Sequence, residues 1–323
     1  MSQWTGQSVH DVRLQAAGRT DKGVHARGQV ITVQLQPPPT ANLTTTTSIK
    51  SKEETPCSEI SDTTTQSPQA VPLWEIQRAL NSRLPSDVSI MDVYSLPDAS
   101  TFTPRQDVIV KQYSYTIQYR RKHNNQNNNV KSDGIYGIGT FRNALDSDVL
   151  WNVPWSLDDS RMATLCQLLQ GSHNFAPFVH KEERNGNSSL RRDQRNNKNI
   201  EYSSTLPPDH HILNLQKCKF EILQETTQHI CPAQNVVLAR FTLEAPGFRR
   251  TMVRNIVGFC VDVCRGKFDS TNKLPPQDND CEPWDWQNEL WKAPVEDVAQ
   301  KIVAAPAKGL CLEWVKYDHP DVK

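Results

Sequence analysis

Apolar and polar residues alternate in short runs along this chain, broken by segments of helical period. Val12, Leu14 and Ala16 alternate and predict a strand, followed by a glycine-bounded loop and a second strand from Gln29 to Leu35. Trp74, Ile76, Ala79 and Leu80 have helical spacing, and the run reaches Leu84-Pro85, which predicts a short helix closed by proline. Strands are expected around Val88, Ile90 and Met91-Asp92-Val93 and from Val108 to Ile117, where Lys111, Tyr113 and Tyr115 share one face. Ser156, with Asp159 three residues on, predicts the cap of a helix whose stripe is Met162, Leu165, Leu168 and Leu169 and whose stop is Gly171. Val237, Ala239, Phe241 and Leu243 alternate as a strand. The segment from Met252 to Cys264 has helical period, with Val253, Ile256, Val257, Cys260, Val261 and Cys264 apolar and Gly266 at its end. A last helix is expected from Pro294 to Val303 on Val295, Val298 and Ile302.

Between these elements lie four stretches without a stable period. Pro37 to Gln69 is rich in Thr, Ser and Pro, Arg120 to Ser132 is basic and then Asn-rich, Lys181 to Lys198 is rich in Arg and Asn, and Phe268 to Trp286 is acidic. All four read as loop or disordered insertions into a compact fold. The length of 323 residues allows two domains with real cores, although 37% hydrophobic content and low mean hydropathy leave much of the chain solvated. No internal repeat is visible.

Net charge is zero, so any nucleic-acid site has to be local rather than global. Local excess exists at Arg19, Lys22 and Arg27, at Arg120 to Lys122, at Arg191, Arg192, Arg195 and Lys198, and at Arg249, Arg250 and Arg254. The eight cysteines are scattered without a C-x-x-C, and Cys260 and Cys264 sit among core residues without histidine partners. A reducing, intracellular setting without a structural zinc follows as the expectation, with the compartment left open. No secretory leader and no membrane-spanning apolar run is present in the sequence.

The densest chemistry lies in Gly18-Arg19-Thr20-Asp21-Lys22-Gly23-Val24-His25-Ala26. Asp21 is presented at a loop tip between two bases, where it can act as nucleophile or general base while Arg19 and Lys22 neutralise an anion. Gly18 and Gly23 tolerate positive φ and let another backbone approach. A solvated hairpin turn would show the same spacing.

The string AGRTDKGVHARGQV resembles the catalytic-aspartate motif of the TruA family of tRNA pseudouridine synthases. Four further blocks follow in that family's order. Asn81 to Val88 with Phe102-Thr103-Pro104-Arg105 and Lys111-x-Tyr113-x-Tyr115 form the second, although Thr103-Pro104 replaces the usual His-Ala. Gly171 to Phe178 resembles a G-x-H-[DN]-F-x-x-F loop, in which Phe175 and Phe178 read as packing residues and His173 as structural. Phe248 to Gly258 resembles F-x-x-x-MVRNIVG, and Ala305 to Tyr317 the closing strand A-x-GL-x-L-x-x-V-x-Y.

The resemblance implies an α+β fold of two domains, each an antiparallel sheet backed by helices, with the active-site cleft between them. Residues 1–105 would form the N-terminal domain carrying the Asp loop and residues 106–323 the C-terminal one. Asp21 would be the nucleophile, Tyr113 would stack on the target base with Tyr115 in support, and Arg254 would pair with Asp21. Leu310 would wall the uracil. Arg19, Lys22, Arg249 and Arg250 are candidates for substrate phosphate, or for solvated surface in the case of the last two. The implied reaction converts uridine to pseudouridine in tRNA, in the anticodon stem-loop around positions 38 to 40, with no metal or organic cofactor. The implied partners are tRNA and, as in bacterial members, a second copy in a homodimer. The family opens with a strand bearing Y-D-G-[TS] and a helix after GWQ, which the 17 residues before Gly18 lack, so a truncated start without the first strand and helix is expected. Two other readings remain: a non-catalytic tRNA-binding or folding protein on the same scaffold, and an Asp-dependent phosphate hydrolase. The hydrolase would want a second carboxylate or a metal site beside Asp21.

Overall fold

The computed structural model describes residues 13–34, 72–96, 102–122, 146–184, 210–225, 236–269 and 284–318. By internal packing the chain divides into a smaller unit, residues 1–15, 32–103 and 319–323, and a larger one, residues 16–31 and 104–318. The loop bearing Asp21 belongs to the larger unit. Among the described residues, no helix is long and apolar enough to cross a membrane.

Strand β1 (Arg13–Ala16) leads into the Asp21 loop and a two-residue strand β2 (His25–Ala26), after which β3 (Ile31–Gln34) returns to pair with β1. Val12 and Leu35, at the outer ends of the two expected strands, lie outside the described residues. In the smaller unit, α1 (Leu73–Asn81) ends short of the expected Leu84-Pro85, and the chain tightens as Arg83 and Leu84 donate their N–H groups to the Leu80 carbonyl. The expected strand around Val88 to Val93 does not form. The backbone at Ile90 is taken by side chains of α1: Gln77 and Asn81 donate to its carbonyl at 3.0 and 2.9 Å, and its N–H donates to Asn81 Oδ1 at 2.7 Å. Those groups are therefore satisfied without a neighbouring strand.

The larger unit is built on β4 (Val108–Arg121), β5 (Trp151–Leu157), α2 (Ser160–Leu169), β6 (Gly171–Asn174), a 3-10 turn at Ala176–Phe178 and α3 (Lys181–Arg184). It continues with β7 (Ile212–Leu215), β8 (Lys217–Glu225), β9 (Val236–Ala245) and α4 (Met252–Cys264). It closes with α5 (Trp286–Glu289), α6 (Val295–Lys301), a 3-10 turn at Ala307–Gly309 and β10 (Leu310–Tyr317). The main sheet runs β2-β10-β4-β9-β8, with β5 also on β4. β10, β9 and β8 pair antiparallel, while β2 on β10 and β5 on β4 are parallel. Antiparallel pairs dominate, but the sheet is mixed.

Strand alternation sends Tyr115, Ile117 and Tyr119 of β4 and Val237, Ala239, Phe241 and Leu243 of β9 into one core with Ile256, Val257, Cys260 and Val261 of α4. Each fully buried apolar side chain of this kind contributes about 1.5 to 3 kcal/mol. The other face of the sheet is polar, where Ser114 Oγ and Gln112 Nε2 donate to Glu313 and Glu244 at 2.5 and 2.6 Å.

Further boundaries in the larger unit differ from the sequence expectation, among them the start of the expected Lys181–Lys198 insertion, where Lys181–Arg184 form α3. Ser156 lies inside β5 and caps nothing; α2 starts at Ser160, whose N–H donates to Asp158 Oδ1 at 3.2 Å. Asp159 is occupied instead by Tyr119 Oη and Arg121 Nε from β4, at 3.1 and 2.8 Å. Arg120 and Arg121 extend β4 rather than opening an insertion. The acidic stretch from Phe268 to Trp286 is anchored at both ends: Phe268, Trp284 and Trp286 are buried, with Phe268 and Trp284 edge-on at 5.3 Å. Residues 185–198 and 270–283 lie outside the described residues, as do the Thr/Ser/Pro-rich insertion and residues 123–132.

Candidate active site

Two elements bring the acid of the first motif to the arginine of the fourth. The Asp21 loop is pinned at its root, where Ala17 N–H donates to the Val30 carbonyl at 2.9 Å and Gln29 Nε2 to the Gly18 carbonyl at 2.9 Å. It turns tightly, as Val24 N–H donates to the Asp21 carbonyl at 3.1 Å and Gly23 adopts a φ of 82°. Beyond it, β2 adds parallel to β10, and Arg27 N–H donates to the Leu312 carbonyl at 2.8 Å. The loop is thereby fixed on the sheet that carries Tyr113 and Leu310.

Arg254 sits in the first turn of α4. Its Nη1 donates to Asp21 Oδ2 at 2.9 Å and its Nε to the Ala305 carbonyl at 2.7 Å, while Ala305 N–H returns a bond to the Arg254 carbonyl at 3.0 Å. Both charged side chains are largely covered, at 19% and 27% exposure. A charge-assisted hydrogen bond in such a place is shorter and stronger than a neutral one and holds a carboxylate in one orientation. The segment bearing Ala305 can come this close because residue 258 is glycine: a Cβ there would lie 1.9 Å from the Val303 carbonyl oxygen. Thr251, just before α4, takes a left-handed φ of 59°, and Asn255 Nδ2 donates to the Phe178 carbonyl at 2.7 Å, tying the helix start to the turn at Ala176–Phe178.

Tyr113 lies on β4, opposite Leu312 of β10 and Leu243 of β9, with its ring edge-on to Phe248 at 5.2 Å. Burial, and then the negative charge of Asp21, push its phenol up to about 12, so it stays neutral at physiological pH. Tyr115 is fully buried two residues on; its hydroxyl donates to the Pro306 carbonyl at 2.6 Å. Burial raises its phenol well above the usual range, with the Arg254 charge opposing. Leu310 is buried and stands opposite Tyr115 in the ladder. Asp21 and Arg254 thus meet directly, Tyr113 feels the Asp21 charge, and Leu310 is the ladder partner of the supporting tyrosine.

The remaining candidates stand differently. Arg19 and Lys22 are exposed on the loop. Arg249 donates through Nη2 to the His210 carbonyl at 2.9 Å and lies 3.9 Å from Glu183, while Arg250 lies 3.8 Å from Glu182 and donates its backbone N–H to Glu183. Both arginines are therefore met by acids of α3. Phe175 and Phe178 are buried, and His173 stacks on Trp291 at 4.4 Å with nearly parallel rings. Among the described residues no group of three or more His, Cys, Asp or Glu is placed to hold a metal ion. Sequence reasoning gave no part to Phe248 or to the carbonyls of Ala305 and Pro306. Phe248 enters the sequence reading only as the first residue of the F-x-x-x-MVRNIVG motif, and a backbone acceptor leaves no mark in sequence.

A family model described as tRNA pseudouridine synthase matches residues 165–318, a span that holds Arg254 and Leu310. "tRNA pseudouridine synthase A" of Solibacter usitatus is 24% identical over 318 residues, covering 97% of this chain and 85% of its own. "tRNA pseudouridine synthase A 2" of Protochlamydia amoebophila is 26% identical over 311 residues, covering 95% and 79%. "tRNA pseudouridine synthase A" of Rhodopseudomonas palustris reaches 30% over 172 residues, covering 53% and 48%. An aspartate in a glycine-bounded loop, held by an arginine of a buried helix beside a sheet tyrosine, stands here with matches of one kind along nearly the whole chain, and together they define a pseudouridine synthase scaffold. These matches support the TruA family of tRNA pseudouridine synthases for this chain.

Proposed function

We propose that this protein isomerises uridine to pseudouridine in tRNA, with Asp21 as the catalytic group. The observation that carries the reading is the 2.9 Å contact between Arg254 Nη1 and Asp21 Oδ2, two residues 233 positions apart in sequence. A target nucleotide extruded from the tRNA costs a few kcal/mol, which stacking of its base on Tyr113 offsets. Asp21 promotes cleavage of the bond from C1′ to N1, by attack at C1′ or by removing the C2′ proton. The uracil departs with the bonding pair, turns, and forms a new bond from C5 to C1′. As that bond forms, the Asp21 carboxylate leaves C1′ or, on the other route, returns the proton to C2′. The C5 proton passes to solvent and N1 takes one up, so atoms balance without an oxidant or a second substrate.

Leu310 supports an apolar wall that excludes water from the detached base. Arg19 and Lys22, exposed beside Asp21, serve the flanking phosphates. Arg249 and Arg250 can join them only by exchanging Glu182 and Glu183 for phosphate. We place the target in the anticodon arm, around positions 38 to 40, on the family resemblance. The test is to incubate the full chain with unmodified tRNA transcripts and map pseudouridine by carbodiimide modification and primer extension. Pseudouridine in the anticodon arm is expected. Its formation elsewhere in the tRNA would overturn the assigned position, and its absence from every transcript would overturn the assigned reaction.

A further inference from the structure

Lys111 is a lysine on the inner face of β4, two residues before Tyr113, and only 9% exposed. Among the described residues no carboxylate lies within ion-pair distance of it. A buried cation without a counter-ion is costly, and such a group persists where its hydrogen bonds hold something in place. Its Nζ donates to the carbonyl oxygen of Ala17 at 2.7 Å. Ala17 is itself fully buried and stands directly before Gly18, at the root of the loop that presents Asp21. Gly18 makes room for the ammonium, since a Cβ at that position would lie 3.2 Å from Nζ. Burial, and then the charge of Arg105, push the lysine below its ordinary range, in keeping with a cation held under strain of desolvation.

The same root carries two other clamps, the Ala17 N–H to Val30 bond and the Gln29 bond to the Gly18 carbonyl. Those two tie the loop to its own returning strand. Lys111 alone of the three ties it to β4, the strand that carries Tyr113. We propose that Lys111 is a positioning residue for Asp21, fixing the root of the catalytic loop to the tyrosine-bearing strand so that the carboxylate meets the sugar of a base stacked on Tyr113. The inference rests on the proposed reaction, and its failure is separable from failure of that reading because wild-type activity is measured first.

The test uses the full chain as Lys111→Met, Lys111→Arg, Gly18→Ala and the double variant Gly18→Ala/Lys111→Met. Lys111→Met should lose kcat by on the order of 100-fold, with the Kd for tRNA and its salt dependence unchanged. Lys111→Arg, which can still donate to the Ala17 carbonyl, should recover part of the loss. Gly18→Ala keeps the lysine but crowds its ammonium, so it should lower kcat in the wild type and cost nothing further in the Lys111→Met background. Limited trypsin digestion at Arg19 and Lys22 should accelerate in Lys111→Met, which reads the loop without reference to catalysis. Wild-type kcat in folded Lys111→Met would overturn the proposal. So would a loss confined to tRNA affinity with a shallower salt slope, the mark of a phosphate contact. If Lys111→Met does not fold, Gly18→Ala and Lys111→Arg decide the matter, and unchanged kcat and digestion in both would overturn it.

Discussion

Arg254 holds one carboxylate oxygen of Asp21 at 2.9 Å while its Nε is anchored on the Ala305 carbonyl at 2.7 Å, so the arginine is fixed from two sides before it fixes the acid. The oxygen that the arginine takes is Oδ2. Replacing Arg254 by Met removes both bonds and strands a largely covered carboxylate. The expected cost is about 3 kcal/mol of stability, a fall of roughly 5 to 10 °C in Tm for a chain of this size, with activity lost beyond detection. Arg254→Lys should keep the charge but not the two-sided grip, and should be intermediate in both. A melt identical to wild type in Arg254→Met would show that the pair carries no energy.

Tyr113 offers an ordered series. Tyr113→Phe keeps the ring against Phe248 and loses the hydroxyl, whereas Tyr113→Leu loses the stacking surface as well. Activity should fall in the order Tyr, Phe, Leu, with Leu lower than Phe by roughly tenfold or more. Equal activity in all three would reduce Tyr113 to a packing residue.

The same side chain fixes a pH dependence. Its phenol is held up at about 12, above the ordinary value of 10.0, so between those limits the unfolded chain releases a proton that the folded chain keeps. The contribution of Tyr113 to stability is therefore complete below pH 10 and lost as pH rises toward about 12. Denaturant melts across this window should show stability falling, less steeply in Tyr113→Phe. An identical slope in the two proteins would mean that the phenol is not held up. Tyr115, Tyr119, Tyr317 and the thiols of Cys260 and Cys264, also raised by burial, contribute to the slope that remains.

Gly258 supplies a test of how α4 is docked. A Cβ there would lie 1.9 Å from the Val303 carbonyl oxygen, which is backbone and cannot step aside. Gly258→Ala should cost about 1 to 3 kcal/mol and shift the segment that receives Arg254, lowering kcat as well as Tm. Calorimetry and turnover on the same preparation would check both; wild-type values for both would show that the segment yields freely.

Much of this was legible before the fold was known, because the relevant signals are local. The period of Val253, Ile256, Val257, Cys260 and Val261 specified α4, and Gly266 ended it with a φ of 82°. Alternation found β9 and β4, but ran the latter short of Arg121 because a basic pair reads as surface. Helix α2 was started too early because Ser156 and Asp159 have the spacing of a cap, whereas in the fold one is strand and the other is taken by Tyr119 and Arg121. A two-residue strand such as β2 has no pattern to detect. The partnership of Asp21 with Arg254 spans 233 positions and could be named only through family resemblance. The part played by Lys111 was hidden for a different reason: its partner is a backbone carbonyl.

The central claim is that Asp21 performs the chemistry, and the most direct measurement is turnover by Asp21→Asn alongside its affinity for tRNA. The amide keeps the shape of the side chain and loses both nucleophile and base. Release of uracil C5 tritium should fall to background while the Kd for tRNA stays within about tenfold of wild type. Turnover by Asp21→Asn at about a tenth of the wild-type rate or more would contradict the assignment.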